Sequence, residues 1–503
     1  MLNKLTLSIC CFAILAGSSF VSAQKPLAIK GAKIITMTGE PIENGTIIFR
    51  DGRIVDVGAD LKIPVEAKVI DATGKIVMPG IVEAHSSSGM SQANESNPLV
   101  PYVSVLDSID PMNSYFKEAR RNGVTSVAIT PGNSTMIGGQ AAVIKTSGEF
   151  LDEMILKPDA GVKISLRPIR GSRMSHLSRL RKALNDAKKK LDKKDDKKDD
   201  KKKDDDKKDD KKDSKKDAKA DSKKDTAKKD DKKSTPARPD SELDKAMFKL
   251  LEGELPAIIY CDKAMDVGQA LRLIEEFKLD AKLVLGRDCH KAAAQVAKSG
   301  LPVILDSTLV FWEEDPRTKE ETKIVLPQLF GEYNVKFVCQ VRRSAAATLG
   351  NNYLWYQAAT CVKYGMEEQE ALESLTTLPS KFLGVDKLVG SIEKGKDGDV
   401  VILSGDPLKI DTWVEKTLVN GVVVYDREED KQLMRLLGLI DEDGKKVTLK
   451  TEAVKADAKK ADEKKTETRR AGRTGRRRGS RSRPEAAKSG EKKADAKKDK
   501  EDK

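Results

Sequence analysis

The chain has 503 residues, enough for one large domain and a smaller one. Charged residues make up 34% of it and aromatics 4%, which argues against a chain that is globular along its whole length. The charge is concentrated in two segments, so the net charge of +13 says little about the folded part.

Residues 1–23 carry Lys4, an apolar stretch from Leu5 to Phe20, and Val21-Ser22-Ala23 before Gln24. A positive start, an apolar middle and a small-residue end mark a secretory signal with a cleavage site, rather than a membrane span or a buried N-terminal helix. Cys10 and Cys11 lie inside the apolar stretch, which argues against a lipid-anchoring cysteine at the cleavage point. The mature chain is expected to be periplasmic or extracellular, with no transmembrane span.

Residues 24–77 read as short β segments: LAIKGAKIITM, GTIIFRDGRIVDVG and KVIDATGKIVM, with an Asp51-Gly52 hairpin turn. Residues 78–384 switch to short apolar strands: IVEAH, SVAIT, AVIKT, VKISL, AIIYC, KLVLG, PVILD and VKFVC. Amphipathic stretches such as AMDVGQALRLIEEFKL and CHKAAAQVAKSG run between some of them. Strands alternating with helices predict an α/β fold with a (β/α)8 TIM-like barrel. AVIKT is open to a second reading, as one arm of a surface hairpin with DEMILK. Residues 385–427 return to β, with LVGSIEKGKDGDVVILSGDPL and TLVNGVVVYD, and the two flanks are expected to pair into one small composite β-sandwich.

Two segments lack the apolar residues that would offset ordering entropy. Residues 187–235 are almost entirely Lys and Asp, and are expected to be a disordered insertion into the barrel. Residues 451–503 contain RRAGRTGRRRGSRSR inside a tail rich in Lys, Glu, Asp and Ala. An Arg-rich tail can neutralise a polyanion. Export favours acidic glycans, anionic surfaces or envelope polymers over nucleic acid as its partner, and a tail that only aids solubility is the simpler alternative. After the signal, four cysteines remain: Cys261, Cys289, Cys339 and Cys361. Apolar strand-like surroundings make buried free thiols the expectation, with one disulfide as the alternative that export permits.

Residues 77–88, VMPGIVEAHSSS followed by Gly89, resemble the first barrel strand of the amidohydrolase superfamily, closest to its imidazolonepropionase-like branch. NGVTSVAITPG with MIGGQAAVIKT resembles that branch's second strand and Gly-Gly-Gln segment, and KLVGSIEKGKDGDVVILSGDPL its closing signature. IENGTIIFRDGRIVDVG and VIDATGKIVMPG fit the opening half of its sandwich. The resemblance covers roughly residues 27–185 and 245–426. It implies a metal-dependent hydrolase of carbon–nitrogen bonds other than peptide bonds, with its site at the strand C-termini.

The resemblance also implies where metal ligands should stand: two His on the first strand, a Lys or Glu near mid-barrel, single His residues ending two later strands, and a final Asp as proton shuttle. Of this set the sequence reading retains His85 alone. Ser87 stands at the second His position, and Arg167 and Pro168 follow VKISL. The later His positions fall near Tyr260-Cys261-Asp262 and Leu285-Gly286, and the shuttle near Val341-Arg342. The chain has three histidines in all.

A zinc site needs several imidazoles or carboxylates at about 2.0–2.2 Å from the metal. Arg342 is permanently charged, so it cannot act as a base and would repel a divalent cation. No cofactor is expected, and a divalent metal of the zinc type is the one the resemblance implies. One rescue stands open: Asp262, Asp288 and Asp306 follow three successive strands and face one barrel mouth, where with His85 they could hold an oxygen-preferring metal. They could equally pair with Arg287, Arg342 and Arg343. His176 is expected on an exposed helix or loop, and His290 at the start of a helix.

The resulting expectation is an exported amidohydrolase-family protein that has lost its metal site and serves as a binding or scaffold protein. Its ligand would be a small anionic or zwitterionic molecule at the mouth, with Arg342 among the contacts. The alternatives are a hydrolase of cyclic amides or imidazolone-type substrates with an unconventional site, and a carrier whose tail is the functional part. Oligomeric state is open, and the resemblance is compatible with a homo-oligomer.

Overall fold

A computed structural model describes residues 25–209, 241–341 and 352–445. The N-terminal flank supplies five strands: β1 (Leu27–Ile34), β2 (Ile42–Arg50), β3 (Arg53–Gly58), β4 (Lys68–Asp71) and β5 (Ile76–Pro79). β1 pairs with β2 along its length, but its other edge is divided: Leu27–Lys30 pair with β4, and Lys33 and Ile34 pair with β5. Gly31 sits between these halves at φ +77°, a conformation a side chain strains to adopt, and a Cβ there would lie 2.5 Å from the Thr73 hydroxyl. The glycine therefore lets one strand serve two partners.

The barrel strands follow: β6 (Ile81–Ser86), β7 (Val124–Ile129), β8 (Ile137–Lys145), β9 (Ile155–Ser165), β10 (Ala257–Lys263), β11 (Ala281–Asp288) and β12 (Val303–Leu305). A two-stranded hairpin, β13 (Val310–Glu314) and β14 (Glu321–Val325), precedes the eighth barrel strand, β15 (Phe337–Cys339). All eight expected barrel strands are present, in the order β6-β7-β8-β9-β10-β11-β12-β15. Their near-continuous apolar runs are what a sheet buried on both faces requires. Val82 and Ala84 of β6 share a core cluster with Val284 of β11 and Val338 of β15, so the two ends of the sheet curl around one interior. The alternate positions, such as Val162 and Ile164 of β9, pack in a second cluster with the helices.

One strand departs from the (β/α)8 pattern. β8 runs antiparallel to both β7 and β9. Seven residues separate β7 from β8, too few for the crossover that a parallel connection needs. The hairpin reading of AVIKT thus describes its direction, although the strand lies within the barrel sheet.

The longer helices of the barrel region include α1 (Ser114–Arg121), α2 (Arg173–Asp209), α3 (Glu242–Leu251), α4 (Ala264–Phe277) and α5 (Leu354–Lys363). The chain then returns to the flanking sheet with β16 (Val400–Leu403), β17 (Val414–Val419) and β18 (Val422–Asp426). β16 pairs antiparallel with β5, Val77 opposite Ile402, so the two flanks join in one composite β domain. Residues from Lys431 form a separate unit whose described part includes a short helix, Lys431–Leu436. No helix among the described residues is long and apolar enough to cross a membrane.

Two expectations need correction. The charged insertion was expected to be disordered from residue 187, yet α2 continues to Asp209. Lys and Asp three and four apart can pair along a helix, as Lys182 and Asp186 do at 2.6 Å, and Lys is a good helix former. Residues 210–240 and the tail from 446 lie outside the described residues. His176, expected to be exposed, is 1% exposed on α2, with Nε2 2.8 Å from the Ser165 carbonyl oxygen. The four cysteines Cys261, Cys289, Cys339 and Cys361 are free and buried.

Candidate functional site at the barrel mouth

The site is built on β6 and β9. Because Val162 and Ile164 face the helices, the period of two sends Lys163 into the barrel. There it is 0% exposed, with Nζ 2.6 Å from Nε2 of His85. Among the described residues no carboxylate is placed to pair with this amine, and the Tyr260 ring centroid is 5.8 Å away. Burial alone pushes the Lys163 pKa down to about 7. His85 is 5% exposed, and burial followed by the Lys163 charge holds its pKa well below the imidazole range. A hydrogen bond with the Gln340 side chain works in the other direction. The neutral pair is therefore the form the interior favours, with the amine donating to Nε2 and the ring proton on Nδ1.

Around this pair the predicted residues serve different partners. Ser87 donates its hydroxyl to the Thr130 carbonyl at 2.9 Å. Asp262 accepts from the Tyr260 hydroxyl at 3.2 Å, and burial, with the Asp262 charge next, raises the phenol's pKa. Asp306 accepts from the Thr308 backbone N–H at 2.9 Å, closing a turn after β12. Asp288 is paired with Lys263 across the β10–β11 register and with Arg287 at 3.4 Å; the hydrogen bond from Lys263 holds its carboxyl below the usual range. Of the two readings of these aspartates, Asp288 follows the ion-network one, with Arg287 as foreseen. Arg342 and Arg343 lie outside the described residues. His290 is the second residue of the helical turn Cys289–Ala292, close to the helix start expected for it, and lies 3.3 Å from Glu313.

The donor set does not fit the metal that the barrel family implies. A catalytic zinc takes three protein ligands. Here the His85 lone pair meets an amine, Ser87 donates to a carbonyl, and Asp288 is held in ion pairs. Among the described residues no group of three or more His, Cys, Asp or Glu side chains is placed to hold a metal ion.

Sequence reasoning missed Lys163 by looking just past VKISL, at Arg167, instead of within it. The signal was there: lysine is almost never fully buried, so a lone lysine inside an apolar strand is an anomaly that asks for a role.

Together these features define a TIM-like barrel with a composite β domain and a polar centre at the strand C-termini, the architecture of an amidohydrolase. Comparison with known proteins agrees. The model of an amidohydrolase family matches residues 351–425. Amidohydrolase tasK of Hapsidospora irregularis is 22% identical over 447 residues, 80% of this chain and 43% of its own length. An imidazolonepropionase of a Geobacillus species is 32% identical over 94 residues, covering 14% of this chain and 22% of that protein. The chain thus spans less than half the length of these relatives. The crystal structure of an amidohydrolase from Thermotoga maritima is 25% identical with a TM-score of 0.65, covering 80% of this chain and 100% of that one. In sequence and in fold the chain is thus similar to proteins of the amidohydrolase superfamily.

Proposed function

We propose that this chain is an exported, non-hydrolytic member of its superfamily, in which a Lys–His pair takes the place of the metal centre and the barrel mouth binds a small anionic or zwitterionic ligand. The observation that carries this reading is the 2.6 Å contact between Lys163 Nζ and His85 Nε2. The mouth offers charge of both signs: Asp262 and Asp306 act on the Tyr260 hydroxyl in one direction and Arg167 in the other, which suits a ligand with two charged ends. The tail of residues 451–503 would add a polyanion contact of its own.

The second reading, a hydrolase of cyclic amides or imidazolone-type substrates, draws on the same amine. A buried lysine with a pKa near 7 could serve as a general base without a metal. Assay of cyclic amides and imidazolones, with and without added zinc or manganese, separates the two. The binding reading expects no turnover above the uncatalysed rate in either condition. Turnover that disappears in Lys163→Met or His85→Ala would establish the hydrolase instead.

A further inference from the structure

Away from the mouth, α2 and α4 frame an open groove of about 590 Å³. Met174 and Leu177 supply its apolar part, and the amides of Asn185 on α2 and Gln269 on α4 its neutral hydrogen-bonding groups. Arg181, Lys182 and Arg272 supply its charge, and none of the lining residues is acidic or aromatic. From Met174 to Asn185 the α2 wall is roughly 16 Å long at the helical rise.

Two of the three groove cations are held only in solvent-exposed ion pairs, and the third has none among the described residues. Between Arg167 and Lys182 the chain carries six Arg or Lys and no Asp or Glu. Of these, Arg173 is matched by the buried Asp266. Arg181 reaches Gln269 at 3.1 Å and Glu276 at 3.7 Å, while Lys182 pairs with Asp186 at 2.6 Å where both side chains are exposed. Such solvent-exposed pairs hold weakly and give way to a ligand anion. Arg272 has no ion-pair partner among the described residues.

We propose that this groove binds a strand of acidic polysaccharide, with carboxylate or sulfate groups on Arg181, Lys182 and Arg272. Sugar rings would lie against Met174 and Leu177, and hydroxyls would meet Asn185 and Gln269. Guanidinium groups suit both anions because they offer paired donors in one plane. The lining has no ring on which a base could stack, which disfavours single-stranded nucleic acid. Its cations lie in a recess between two helices rather than beside a projecting apolar face, which disfavours a membrane surface. The proposal is independent of what the barrel mouth does.

The test uses the full-length chain and fluorescence anisotropy at low salt, with labelled oligogalacturonate and heparin oligosaccharide as probes. Arg181→Ala with Arg272→Ala is expected to weaken at least one glycan tenfold or more and to flatten the salt dependence. Asn185→Glu, which sets a carboxylate among the groove cations from a half-buried position on α2, is expected to do the same by repulsion, with circular dichroism confirming that the variant is folded. Both losses should persist when Arg476, Arg477 and Arg478 of the tail are replaced by alanine. Unchanged glycan affinity in both groove variants would overturn the proposal. So would single-stranded DNA or anionic vesicles binding more tightly than either glycan with the same dependence on Arg181 and Arg272.

Discussion

Replacing Lys145 with alanine is expected to destabilise the protein by about 3–5 kcal/mol, the usual cost of leaving a buried charge without its partner. Lys145 ends β8 and is 2% exposed. Its Nζ lies 2.6 Å from Asp399 and 2.9 Å from Asp397, just before β16. Asp399 also accepts the Asn420 backbone N–H at 2.9 Å, in the turn between β17 and β18. One buried cation thus ties a barrel strand to the composite β domain, and its removal strands two carboxylates rather than one. Chemical denaturation of Lys145→Ala and of the double variant Lys145→Ala/Asp399→Asn checks this. The double variant should recover part of the loss. Equal stability of wild type and Lys145→Ala would show that the triad is solvated.

Lys163 is expected to make stability rise with pH, in the same sense as a paired carboxylate but in the neutral-to-alkaline range. Its pKa is near 7 in the folded chain and about 10.4 in an unfolded one. Between those values the unfolded state holds a proton that the folded state does not, so stability rises with pH, by up to about 1.4 kcal/mol per unit. Below pH 7 the folded chain must also accommodate an ammonium without a carboxylate, and the full cost is present. Lys163→Met removes the term while keeping a similar volume. From pH 7 to pH 9, urea unfolding should favour the wild type over Lys163→Met by a further 2–3 kcal/mol or so, the order given by that slope. Parallel pH curves for the two proteins would mean that the amine is not desolvated.

The barrel and its flanks were legible because burial leaves a periodic trace. A strand covered on both faces must be apolar throughout, and all eight such runs became barrel strands. Direction leaves no such trace in composition, so the reversal of β8 shows only in its antiparallel pairing with β7 and β9. The charged insertion misled because its composition is that of a disordered segment, while the helix it continues is seeded upstream by Leu180 and Leu184, both buried in the core. At the site, His85 and the serine at the second histidine position of the motif it resembles were plain in HSSS. Lys163 was overlooked because ligand positions were sought at strand ends, where the family places them. A side chain reaching back from within a strand is a matter of register and bulges, and β9 carries several register shifts against β8.

Elemental analysis of mature protein purified without chelator, before and after incubation with zinc or manganese and gel filtration, tests the central claim most directly. If the Lys163–His85 pair has replaced the metal centre, the protein carries only substoichiometric metal and retains none of what is added. Stoichiometric zinc, manganese or iron that disappears in His85→Ala would contradict the account and restore a metal-dependent hydrolase.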